Sequence, residues 1–183
     1  IVTGMRDNVV WGIYIANFIF FIGISYAGAL ISGILHLLRI PWRAPIIRIA
    51  EMITVISTMI GPSYILLCMG RLDRLHHLAL YGRIQSPILW DVLAISTYLT
   101  GSIIFLYLAS IRDLSALRDY PFKSKWRTKL YKFMSVDFNG NHVQNQYLDR
   151  ALNIISAIII PLAILVHSVL AWIFGMTLRP GWH

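Results

Sequence analysis

Four apolar stretches, at about 11–38, 45–69, 86–110 and 151–175, set the terms for everything else in this chain. A helix needs about 20 apolar residues to cross the roughly 30 Å of a bilayer's hydrocarbon, and each stretch meets that length. Core helices of this length in a soluble protein would need a far larger molecule around them. Hydrocarbon offers the backbone no hydrogen-bonding partner, so each stretch must be helical. The expected fold is an all-α integral membrane protein built as a four-transmembrane-helix bundle. Composition agrees: of 183 residues, 57% are apolar and only 13% charged, with a mean hydropathy of +0.67. A soluble domain is about a quarter charged.

Charge orients the bundle. Let side A be the side on which the chain starts. Side A then holds Arg6, Arg71, Arg74, Arg83 and Arg179, and side B holds the other 11 of the 16 Lys and Arg residues. The positive-inside bias makes side B cytoplasmic. The long side-B segment, about 111–150, carries Lys125, Arg127, Lys129 and Lys132 interleaved with Trp126, Leu130 and Phe133. This spacing predicts a short helix lying in the membrane interface. The net charge of +8 belongs to a chain too apolar for a nucleic-acid-binding domain. The run Asp137-Phe138-Asn139-Gly140-Asn141 is no calcium loop, because its glycine falls at the fourth place instead of the sixth and Leu148 stands where a bidentate Glu belongs. A lone cysteine, Cys68, cannot build a disulfide, a thiolate zinc site or an iron–sulfur cluster within this chain. The chain opens at Ile1 without an initiator Met and closes at Trp182-His183, which reads as a piece of a longer protein.

An ionisable residue inside the hydrocarbon costs at least about 2.5 kcal/mol and is a functional candidate by default. Counting at about 1.5 Å per residue puts Asp91 about 8 Å and His167 about 12 Å below side A. Tyr26 lies near the middle of the first span and Tyr64 near the side-A end of the second, with Arg71, His76, His77 and Arg83 in the loop above. An acid, an imidazole, phenols and guanidiniums are thus expected to converge on one half of the membrane. The bland alternatives are an Asp91 paired with Arg83 or Arg71, a helix–helix hydrogen bond for His167, and a solvated His76-His77 pair. Toward side B, Glu51, Thr54 and Thr58 share a helix face, with His36 nearby. This stripe reads either as a proton half-channel or as interhelical hydrogen bonding with Glu51 paired to Arg48. Gly61-Pro62 and Pro161 are expected to kink or open the second and fourth spans. A bis-His haem is disfavoured, since His36 and His167 differ in depth by roughly 20 Å.

Several segments resemble one membrane family. The run from Ser86-Pro87-Ile88-Leu89-Trp90-Asp91 through Ala94-Ile95-Ser96-Thr97-Tyr98 is similar to the S-P-L-L-W-D-x-x-A-I-S-T-Y segment of NrfD/PsrC-type quinone-interacting membrane subunits. The likeness is strongest to the ActC subunit of alternative complex III. Trp11-Gly12, Asn17-Phe18 and Gly23-Ile24-Ser25-Tyr26-Ala27-Gly28 resemble its W-G, N-F and G-I-x-H-A-G pattern. Gly70-Arg71, Ile111-Arg112-Asp113-Leu114, Val166-His167-Ser168 and Pro180-Gly181-Trp182-His183 follow in order. Two positions depart from the pattern: Tyr26 stands where that branch has His, and Cys68 where the family often has the His of H-L-G-R.

The resemblance implies that the four spans are the first bundle of an eight-to-ten-span subunit in a prokaryotic cytoplasmic (inner) membrane. It implies quinol or quinone, menaquinone included, as the bound substrate. It implies no redox cofactor in this chain and an iron–sulfur partner on the outer, periplasmic face, beside other membrane subunits. Asp91, His167 and Tyr26 are then the candidate quinol proton acceptors. Tyr64, Arg71 and Arg83 would complete the head-group site, with Glu51 and His36 as a proton path. The rival expectation is a transporter or proton-conducting subunit without quinone chemistry.

Overall fold

The computed structural model describes residues 12–68, 72–120 and 125–176, which form helices joined by short turns and loops, with no strand among them. Helix α1 spans Gly12–Leu37 and α2 Arg43–Cys68; a 3-10 turn at Leu72–Arg74 leads into the short α3, Leu75–Leu80. Helix α4 spans Pro87–Arg118, α5 Lys125–Met134 and α6 His142–Gly175. Helices α1, α2, α4 and α6 are each long and apolar enough to cross a membrane. They pack as a ring in which α1 meets α2, α2 meets α4, α4 meets α6 and α6 returns to α1.

The helices turn their apolar surfaces outward and keep small polar groups inside. Phe20 is 60% exposed and Ile49 61%, while Ser25, Ser32, Glu51, Thr54, Thr58 and Ser102 are fully buried. That distribution suits hydrocarbon surroundings, where close approach and interhelical hydrogen bonds hold helices together. The α1–α2 seam depends on one glycine in particular. A Cβ at Gly28 would lie 2.8 Å from the backbone oxygen of Ala50, closer than side chains sit, so α1 and α2 approach this tightly only with glycine there.

Local chemistry fixes the helix ends. Pro87 sits in the first turn of α4, where its missing N–H is harmless, and the Trp90 indole donates to the Ile84 carbonyl at 2.6 Å. Both α2 and α6 run on through Pro62 and Pro161, so neither helix is opened where its proline falls. The side-B ends also differ from simple loops. Helix α4 continues to Arg118 and α6 already begins at His142. At about 1.5 Å per residue, helices of 32 and 34 residues outrun a hydrocarbon layer about 30 Å thick. The two extensions are tied by Arg112, which bonds Asp149 at 2.9 Å and Asn145 at 3.2 Å. At the end of α4, the Arg118 guanidinium beside Asp119 holds that carboxyl below its usual range.

The expected Arg48–Glu51 pair is not formed. Arg48 reaches outward to Asp113 of α4, at 2.5 Å. Glu51, one turn further into the bundle, faces α1 with no solvent exposure. The long Arg48 side chain finds its acid at the rim, while the shorter Glu51 is carried inward by the helix.

Candidate functional site

Polar side chains recur along the buried faces of three helices at spacings of three, four and seven. On α1 they are Ser25, Ser32 and His36; on α2, Glu51, Thr54 and Thr58; on α4, Asp91, Tyr98 and Ser102. Such spacing puts them on one helix face each, and the ring packing points those faces at one another.

At mid-height they form a hydrogen-bonded knot. Tyr98 donates to the Ser25 carbonyl at 3.0 Å and meets the Ser25 hydroxyl at 3.0 Å. Ser25 Oγ donates to the Thr54 carbonyl at 3.1 Å and also contacts the Thr58 hydroxyl. Thr54 Oγ1 is shared between the carbonyls of Ala50 at 2.9 Å and Ser25 at 3.2 Å. Thr58 bonds back to the Thr54 carbonyl at 2.7 Å. Three helices are thereby joined around one serine.

Below the knot, toward side B, stands Glu51. Its Oε1 meets the Ser32 hydroxyl, which also contacts the Ala29 carbonyl at 3.0 Å. Its Oε2 is buried without a hydrogen-bond partner. One turn beyond Ser32, His36 is 5% exposed and packs edge-on to Phe105. His36 also lines a cavity of about 190 Å³ at the side-B end, together with Arg43, Arg112 and Asp149.

Above the knot, toward side A, stands Asp91. It is 9% exposed, and its Oδ1 is buried without a partner. Among the described residues no ion pair joins it to Arg83. Tyr26 and His167 form a separate pair, stacked with ring centroids 4.9 Å apart across the α1–α6 seam. Tyr26 is half-buried, whereas His167 is on the exposed side of α6. Tyr26 adjoins Ser25 and so sits level with Tyr98, which is seven residues deeper along α4 than Asp91. The Tyr26–His167 pair lies on the α1–α6 seam, and Asp91 lies on α4. Tyr64 stacks on Phe21 at 5.8 Å. His76 and His77 are exposed and pack on each other edge-on at 4.3 Å. Arg83 is exposed; Arg71 lies outside the described residues. No group of His, Cys, Asp and Glu among the described residues is arranged to hold a metal ion.

The family described as Polysulphide reductase, NrfD, matches residues 1–183. The chain belongs to the NrfD family. NrfD proteins are integral membrane proteins, so the four long helices are membrane spans. A Halobacterium salinarum protein named as a membrane component of a dimethyl sulfoxide reductase is 27% identical over 180 residues. The match takes in 98% of this chain and 38% of that protein. This NrfD chain thus spans well under half the length of that curated relative.

Within the NrfD bundle, Ser25, Ser32 and Tyr98 are the polar centre that sequence reading passed over. Ser25 and Tyr98 entered there only as letters of family motifs. The signal was available: each lies seven residues from a buried polar neighbour on its own helix, Ser25 from Ser32 and Tyr98 from Asp91.

Proposed function

We propose that this chain is the quinone-interacting part of a membrane subunit in a respiratory reductase complex. Quinol or quinone, menaquinone among them, enters laterally from lipid into the side-A half of the bundle. Asp91 carries the reading: a carboxylate oxygen buried in a membrane helix with no partner. Native structures leave few such groups unpaired, and in hydrocarbon the cost is high enough that chemistry is the better reason for keeping one. A ring hydroxyl placed at Oδ1 would supply the missing bond. Oxidation of a quinol releases two protons and two electrons. Asp91 accepts the two protons in turn, passing each to water at side A, and the two electrons leave to an iron–sulfur partner on side A, the outer face by the charge bias. Reduction runs the same exchange backward. The stacked Tyr26 and His167 offer a second, lipid-facing contact for the ring, with Tyr64, Arg71 and Arg83 at the head-group end.

The test is Asp91→Asn in the assembled complex. Positioned proton transfer contributes about 10²–10⁴-fold, so quinol-dependent turnover should fall at least about tenfold while the subunits still co-purify. Unchanged turnover in an assembled complex would leave Asp91 a structural acid and sink the reading. His167→Phe, which keeps a ring against Tyr26, should chiefly raise the quinol KM.

A second reading is favoured by Glu51. Its unpartnered Oε2, the Ser32 hydroxyl and the His36 cavity form an interrupted polar line from side B toward the Ser25–Tyr98 knot. Such a line suits proton conduction, either coupled to quinone chemistry or in its place.

A further inference from the structure

The side-B surface carries a cavity that the quinone reading does not use. Helix α5 has ten residues, none of them buried. Lys125, Lys129 and Lys132 recur at four and three residues along one stripe, and Trp126, Leu130 and Phe133 along the next. The helix is held to the bundle at its C-terminal end, where Tyr107 of α4 donates to the Met134 carbonyl at 2.8 Å. Between α4 and α5 this leaves an open cavity of about 740 Å³, lined by Tyr107, Lys129, Lys132, Phe133, Met134 and Val136. Asp137, the one carboxylate on the lining, lies within the field of Arg118.

Depth identifies the layer in which the cavity sits. Tyr107 is twenty residues along α4 from Pro87, about 30 Å at 1.5 Å per residue, which is one hydrocarbon thickness. Tyrosine at that depth belongs to the aromatic belt at the membrane–water boundary. The cavity therefore opens at the side-B head-group layer. Phe133, 82% exposed, and Val136, 68% exposed, are too apolar to be left to water there. Two ammonium groups next to an apolar wall match one ligand chemistry, a phosphate ester carrying a hydrocarbon chain.

We propose that this cavity is a binding site for an anionic phospholipid. The head-group phosphate lies between Lys129 and Lys132, and an acyl chain runs down against Tyr107, Phe133 and Met134. The lipid thereby fills the space between α4 and α5 and fixes α5 in the interface. This rests on the helices crossing a membrane and not on quinone binding.

The full-length protein in its complex, reconstituted with spin-labelled phosphatidylglycerol or phosphatidylcholine, provides the test. The wild type should immobilise phosphatidylglycerol in preference. Lys129→Gln/Lys132→Gln should weaken that preference at least about fivefold, since each basic residue near the surface contributes about that factor. Lys125→Gln/Arg127→Gln removes as much charge from the same helix outside the cavity and should leave most of the preference intact. Equal losses in the two double variants would mean general surface attraction and overturn the site. Phe133→Ser should also weaken binding, and inorganic phosphate at millimolar concentration should not compete. Displacement by phosphate with no effect of Phe133→Ser would make it an anion site and overturn the lipid assignment. A wild type without preference, as expected if a partner subunit fills the cavity, would overturn it as well. Because α5 buries no residue, none of these substitutions threatens the fold.

Discussion

Glu51 and Asp91 are both acids buried in the bundle with one oxygen unpartnered, yet they stand in different company. Asp91 lies near the start of α4 with no hydroxyl bonded to it among the described residues, which leaves room for a ligand's hydroxyl. Glu51 is held by Ser32 and stands one turn below Thr54, toward side B, at the edge of the mid-membrane knot. The difference predicts separable phenotypes. Glu51→Gln keeps the size and the acceptor for Ser32 but cannot carry a proton. If Glu51 conducts protons, the variant should lower the proton-to-electron ratio of the complex in proteoliposomes by at least about half and leave much of the uncoupled turnover, because a single unprotonatable site interrupts a relay. An unchanged ratio, or a wild type that moves no charge beyond the scalar reaction, would remove the channel. Both acids were evident in the sequence as charges inside apolar runs. Their partners were not: Arg48 is nearest to Glu51 along the chain but bonds Asp113, because a side chain at the rim turns toward water and the neighbouring helix.

Among elements, the α1–α2 seam is the tightest, and Gly28 shows why. A Cβ there meets the Ala50 carbonyl oxygen, a backbone atom that moves only if the helices part. At Gly23 on the same helix a Cβ meets nothing within 4 Å. Gly28→Ala should therefore destabilise by about 1–3 kcal/mol, the usual cost of overpacking, and Gly23→Ala should be neutral. Thermal unfolding of the two variants in detergent checks this; equal midpoints would mean that the seam does not depend on close approach. The span lengths were legible from apolar runs. The helical continuations of α4 and α6 on side B were not, because residues 111–118 and 142–150 are polar and carry no membrane signal. They remain helical because each lies against the other, joined by Arg112, Asp149 and Asn145.

For the molecule as a whole, the lopsided distribution of basic residues predicts orientation. With 11 of 16 on side B, Lys125→Cys in a Cys68→Ser background should resist a membrane-impermeant thiol reagent in intact cells, and Arg83→Cys should react. The reverse pattern would invert the bundle and put Asp91 on the cytoplasmic side. The sequence alone determined the class of the fold, the number of spans, this charge bias and the family, because each depends on composition or order summed over many residues. Tertiary structure decided which polar groups meet. It stacked Tyr26 on His167 across the α1–α6 seam, and it gathered Ser25, Thr54, Thr58 and Tyr98 into a knot. The physical reason is that depth can be counted along a helix at a fixed rise, whereas the neighbour across a seam depends on each helix's rotation and tilt. Those are set by close contacts such as Gly28 against Ala50, which no single stretch of sequence contains.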